Sequence, residues 1–101
     1  MDRLKGRVCI ITGAGQGLGS GIAKRLAEEG SAVALIDLDI EKAKAVEEEI
    51  TAAGGAALAV QCNVMDAAMI QDMVAAVKAR FGKIDGLVNV VGVSNEARNR
   101  L

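Results

Sequence analysis

Short apolar runs alternate along the chain with longer segments in which apolar residues recur every three or four positions. The runs at 7–12 ("RVCIIT"), 31–38 ("SAVALIDL"), 57–64 ("ALAVQCNV") and 84–93 ("IDGLVNVVGV") are almost continuously apolar and read as strands. Segment 17–29 has Leu18, Ile22, Ala23 and Leu26 at helical spacing, with Gly30 as its stop. Segment 40–53 carries a stripe of Ala43, Val46 and Ile50. Asp39 stands before it as a cap, and Gly54 and Gly55 end it. Segment 66–81 turns Met69, Ile70, Met73, Val74 and Val77 inward and stops at Gly82. Strands that do not alternate apolar with polar suit a parallel sheet covered on both faces. Four of them joined by three helices predict an α/β fold, a Rossmann-like parallel sheet in three layers. That unit covers 1–93. The tail at 94–101 is polar and aperiodic, and disorder is one expectation for it.

Composition narrows the chemistry. The 101 residues make one small domain, and 51% of them are hydrophobic. Phe81 is the only aromatic residue, and the chain has no His, Tyr, Trp or Pro. The core is therefore aliphatic, and no imidazole base, phenolic acid or His-rich metal site is available. The formal net charge is −1, with Lys and Arg dispersed, which argues against a nucleic-acid surface. No apolar run approaches the roughly 20 residues that cross a bilayer, and the N-terminus does not read as a signal peptide. Cys9 and Cys62 lie in apolar strands and read as buried, reduced thiols. The chain reads as cytoplasmic.

Between the first strand and first helix lies "TGAGQGLG", with Gly13, Gly15, Gly17 and Gly19 in seven residues. Unpaired amides and the positive end of a helix dipole meet at such a place. Glycines let the backbone approach a diphosphate without a Cβ in the way. The strand before, the helix after and an acid ending the second strand supply the context for a dinucleotide fingerprint. That acid is Asp37, 20 residues after Gly17. Its carboxylate suits both ribose hydroxyls of adenosine and repels a 2′-phosphate. No Arg or Lys adjoins it in sequence: Leu38 follows, and Gly15 and Gln16 occupy the loop. NAD is therefore expected over NADP. The other reading is that Asp37 starts a turn, with Asp39 as the helix cap.

The pattern TGxxxGxG, met by Thr12, Gly13, Gly17 and Gly19, resembles that of short-chain dehydrogenases/reductases. "CNV" at 62–64 resembles the family's adenine-contacting DV motif, with Asn63 in place of Asp and Val64 offering backbone atoms. "NVVG" at 89–92 resembles NNAG through Asn89 and Gly92, while Val90 and Val91 add β-branched bulk beside the coenzyme. For Asn89, a purely structural cross-strand hydrogen bond is an equal alternative to coenzyme contact. The resemblance implies strand order 3-2-1-4, with the first two helices on one face and the third on the other. It also implies a nicotinamide coenzyme and an alcohol/carbonyl oxidoreductase. The coenzyme set is then Gly13, Gly15, Gln16, Gly17, Leu18, Gly19, Asp37, Leu38, Asn63, Val64, Asn89 and Gly92. The family's catalytic Ser, Tyr, Lys and Asn fall beyond the fourth strand, so no catalytic residue is assigned and this chain alone is expected to be inactive. The sheet would then be incomplete, with the fourth strand a bare apolar edge. Self-association, docking of a missing C-terminal segment, or disorder near 94–101 would follow. Two rival readings remain. One is a stand-alone, non-catalytic nucleotide-binding or self-assembling module. The other is an S-adenosylmethionine-dependent methyltransferase, which the Thr12–Gly13 start and the spacing to Gly17 disfavour.

Overall fold

A computed structural model describes residues 3–90. Gly92 and the tail at 94–101 lie outside the described residues. The elements run β1 (Val8–Thr12), α1 (Gly17–Glu28), β2 (Ala32–Asp37), α2 (Ile40–Ala52), β3 (Ala57–Gln61), α3 (Ala67–Phe81) and β4 (Gly86–Asn89). The four strands form one parallel sheet in the order β3-β2-β1-β4.

Local chemistry explains where two of the helices begin. The Asp39 carboxylate accepts from the amides of Glu41 and Lys42, and that of Asp66 accepts from Ala68 and Met69. These side chains satisfy donors that the first turn leaves unpaired. Gly82 ends α3 in the left-handed conformation, at φ 86°.

Successive strand residues face opposite sides, and both sides are apolar. Ile11, Val33 and Leu35 pack with Ala23 of α1 and with Ala43, Val46 and Ile50 of α2. On the other face, Val8, Ile10, Ala34 and Ile36 pack with Met73 and Val77 of α3. Full burial of each large aliphatic side chain is worth about 1.5–3 kcal/mol. These two clusters therefore hold the three layers together.

The strands are shorter than the apolar runs that announce them. β3 ends at Gln61, and the Cys62 amide makes the last rung of its ladder to the Asp37 carbonyl at 3.2 Å. The inward stripe of α1 also differs from the one its spacing predicts. Leu18 is 63% exposed, while Gly19 and Ala23 are buried. The face that meets the sheet is built on residues small enough for close approach, and Leu18 is turned to solvent. Both cysteines are free; Cys62 is buried and Cys9 only half-buried. Among the described residues, no helix is long and apolar enough to cross a membrane.

Side chains fasten β1 to β4 at both ends. At the start, the Asp85 Oδ2 accepts from the Val8 amide at 2.8 Å, and the Asp85 amide donates to the Val8 carbonyl at 2.7 Å. At the finish, the Thr12 hydroxyl donates to Asn89 Oδ1 at 2.7 Å and accepts from the Val90 amide at 3.1 Å. The Val8 amide, with the Lys83 ammonium 3.2 Å away, holds the Asp85 carboxyl below its ordinary value of 3.8. A depressed carboxyl stabilises the fold above its unfolded value and loses that contribution as pH falls through its folded value. Urea denaturation should therefore find Asp85→Asn less stable than the parent near pH 7. The gap should close as the pH drops below about 4.

Candidate functional site

The loop between β1 and α1 sits at the carboxyl end of the sheet, where the strand order reverses between β1 and β4. In open α/β sheets, this is where ligands bind. Gly13 and Gly17 have φ of 65° and 57°, the left-handed region that side chains disfavour. A Cβ on Gly19 would collide with the Gly13 carbonyl oxygen, so α1 rests directly on the loop backbone. Gln16 occupies the N-cap position of α1 with extended backbone and no side-chain cap bond, and the first turn holds no acid. α2 and α3 are capped by aspartates, whereas α1 offers its first amides, and the dipole behind them, to whatever approaches.

Asp37 faces this turn from the end of β2. Its Oδ2 accepts from the Gly15 amide at 2.8 Å and its Oδ1 from the Asp39 amide at 2.9 Å. The turn-starting reading of Asp37 is present here, with Asp39 as the helix cap, and Asp37 reaches the glycine loop as well. A Cβ on Gly15 would lie 2.7 Å from Asp37 Oδ2 and 2.8 Å from Lys42 Cβ, so glycine is what permits the contact.

The absence of a neighbouring cation, read from the sequence, does not survive folding. Lys42, in the first turn of α2, packs at Gly15, and its ammonium donates to Gln16 Oε1 at 2.7 Å. Lys42 lines an open depression of about 560 Å³ with Gln16, Asp37, Leu38, Asp39, Ile40 and Gln61. The signal that could have found it is positional. A lysine three residues after the cap Asp39 must lie on the first turn of a helix that starts beside Asp37.

The other candidates gather around a second depression of about 780 Å³. It is lined by Thr12, Gly13, Asp37, Leu38, Asn63, Val64, Met65, Leu87, Asn89 and Val90, with Ile36, Cys62, Ile70 and Met73 at its floor and sides. Leu38, Val64 and Met65 expose 64%, 46% and 88% of their surface, so its walls are apolar and open. Asn63 uses Oδ1 to accept from the Met65 amide at 2.9 Å, and Asn89 uses its oxygen for Thr12. The structural role foreseen as one option for Asn89 is therefore present. Burial, and then the Asp66 carboxylate, push the Cys62 thiol above its ordinary 9.0 and keep it neutral. No group of three potential metal ligands occurs among the described residues. The arrangement can hold an anion on backbone amides, accept hydrogen bonds from vicinal hydroxyls at Asp37, and sandwich a flat apolar ring.

The model of the short chain dehydrogenase family matches residues 7–100. The chain belongs to that family. It is 47% identical over 92 residues to a 2,5-dichloro-2,5-cyclohexadiene-1,4-diol dehydrogenase of Sphingobium indicum, an alignment covering 91% of this chain and 37% of that protein. A metagenomic short-chain oxidoreductase in complex with NADP superposes with a TM-score of 0.84 at 41% identity, over 91% of this chain and 42% of the other. An oxidoreductase from Haemophilus influenza with bound NAD gives 0.88 at 38%, over 93% and 34%. The chain thus spans less than half the length of each of these proteins.

Two glycines of α1 should respond in opposite directions to the same added methyl. Gly19→Ala drives a Cβ into the loop backbone and should destabilise by about 1–3 kcal/mol. Gly21→Ala meets nothing within 4 Å and should stabilise by roughly 0.5–1 kcal/mol. Urea midpoints of the two variants against the parent check both signs.

Proposed function

We propose that this chain is the coenzyme-binding part of a nicotinamide-dependent oxidoreductase acting on an alcohol/carbonyl pair. The observation that carries this reading is the uncapped first turn of α1, reached through a loop whose Gly15 amide bonds Asp37 and whose Gly13 and Gly17 have positive φ. Gly13, Gly15, Gln16, Gly17, Leu18 and Gly19 would hold the diphosphate. Asp37 and Leu38 would hold the adenosine ribose, and Asn63 and Val64 the adenine. Asn89 and Gly92 would lie toward the nicotinamide. The bound coenzyme would supply the hydride chemistry. The chain contains no tyrosine, so the family's Tyr-x-x-x-Lys is not among these residues, and catalysis would need chain beyond them.

Asp37 supports NAD over NADP, since its two oxygens suit the two ribose hydroxyls and oppose a 2′-phosphate. Similar structures hold NADP in one case and NAD in another, so the fold itself accommodates both. Affinity is expected to be weak, because among the described residues only the adenosine side has walls. In a calorimetric titration of the 101-residue chain, NAD should bind, and S-adenosylmethionine should not. Asp37→Ala should weaken NAD about tenfold, the size of one hydrogen bond to a charged group, and relax discrimination against NADP. An unchanged NAD/NADP ratio in Asp37→Ala would remove Asp37 from the ribose site.

A second reading concerns partners. β4 is the outer strand of the sheet among the described residues, and Leu87 on it is 63% exposed. This supports pairing of the β4 edge with another strand, from further chain or from a second copy, and keeps a self-assembling module in view. Size-exclusion chromatography at micromolar concentration should show association; a compact monomer would count against it.

A further inference from the structure

We propose that Glu47 and Arg80 together take the place of one residue of an added parallel strand beside β3. They close that edge of the sheet to strand addition and leave β4 as the edge that a partner strand can join. The closure needs neither the coenzyme reading nor any particular partner for β4.

The sheet has β3 at one edge and β4 at the other. An edge strand presents unpaired amides and carbonyls, which template further strands. The groups of β3 that face outward follow from its bonds to β2. The Val33 amide donates to the Ala56 carbonyl, and the Cys62 amide donates to the Asp37 carbonyl. Backbone polar groups of the even-numbered residues along 56–62 therefore point at β2, and those of Ala57, Ala59 and Gln61 point away from it. Side chains occupy two of these outward groups. The Ala59 amide donates to Glu47 Oε2 at 2.8 Å, and Glu47 comes from α2 on one face of the sheet. Arg80 Nη1 donates to the Ala57 carbonyl at 3.3 Å, and Arg80 comes from α3 on the other face.

The spacing of these two bonds is that of a parallel rung. In such a rung, one residue donates to the carbonyl before its partner residue and accepts from the amide after it. Val33 stands in that way opposite Ala57, with its amide on the Ala56 carbonyl. Arg80 and Glu47 repeat the pattern around Leu58. The guanidinium supplies the donor and the carboxylate the acceptor, so a parallel strand in register there finds both positions filled. An antiparallel strand would need the same two groups. Among the described residues, neither charge takes part in an ion pair. Both act on the edge instead, and charge-assisted bonds are roughly twice as strong as neutral ones. The Arg80 guanidinium also lies over the Phe81 ring, 4.8 Å from its centroid, which steadies its reach toward β3. A strand entering here would displace both side chains and bury charges that it cannot pair.

The test follows the Ala59 amide by hydrogen exchange in the full 101-residue chain, together with sedimentation velocity from micromolar to near-millimolar concentration. In dilute solution, Glu47→Ala should exchange Ala59 about tenfold faster than the parent or more, the loss of one hydrogen bond to a charged group. Glu47→Gln keeps an acceptor oxygen and should retain most of the protection. Glu47→Ala/Arg80→Met removes both side-chain partners. At the highest concentration its average mass should exceed the parent's by about twofold or more, and Ala59 should regain protection as the chains associate. Glu48→Ala/Lys78→Met removes the same charges from exposed positions of the same helices and should sediment like the parent. Parent-like exchange of Ala59 in Glu47→Ala overturns the proposal. So does a Glu47→Ala/Arg80→Met chain that is folded by circular dichroism and keeps the parent's mass at every concentration. Equal association of the two double variants overturns it as well, because lost charge alone would then explain the effect. If Glu47→Ala/Arg80→Met does not fold, Glu47→Ala decides by the same two readings. None of these outcomes touches the coenzyme reading.

Discussion

The carboxyl end of β2 holds three other stretches of chain by hydrogen bonds, and the site exists because of it. The Ile36 carbonyl accepts from the Ala14 amide, and the Asp37 side chain accepts from Gly15 and Asp39. The Asp37 carbonyl accepts from Cys62. One strand terminus thereby sets the path of the glycine loop and the start of α2, and makes the last rung to β3. The glycine loop is fixed by buried Ala14, by α1 resting on Gly13, and by a carboxylate that gives each oxygen to one amide. Asp37 is thus a structural post, and the lone pairs left on the same oxygens are what the proposed ribose contact would use.

The sheet places that post between unequal surroundings. On one face, α1 and α2 cover β1 and β2 with a closed aliphatic cluster. On the other, α3 packs over residues of β1 and β2 through Met73 and Val77, while Leu87 of β4 stays exposed. The depression that runs past Asn89 and Val90 is open on that side. The adenosine end of a dinucleotide would meet formed walls, and the other end would meet a surface that is open among the described residues.

Much of this was legible in the residues, and the reasons for the gaps are physical. Apolar runs without alternation located the strands and announced a two-faced sheet, because burial on both sides removes the need for polar positions. Asp39 and Gly82 marked helix ends because capping is local chemistry, while Asp66, read as the first helical residue, is the cap of α3. The inward face of α1 was harder. Gly19 has no side chain to register as apolar, yet it lies closest to the loop, and Leu18 drew the stripe one position astray. Lys42 escaped for a related reason. Sequence neighbours of Asp37 are apolar or acidic, and only the turn of α2 brings a cation back to Gly15. The Thr12–Asn89 clasp joins residues 77 positions apart, a pairing that only the parallel register of β1 with β4 creates.

The bare start of α1 makes the helix sensitive to its surroundings. Helices without a cap fray from that end, and a missing cap costs about 1 kcal/mol. An oxyanion settling on those amides would supply the missing acceptor and suppress the fraying. Occupancy of the turn and integrity of the helix are then one equilibrium. Phosphate or sulfate in a buffer would act on it as a bound nucleotide would, and the melting behaviour of this chain would then follow the anions dissolved around it.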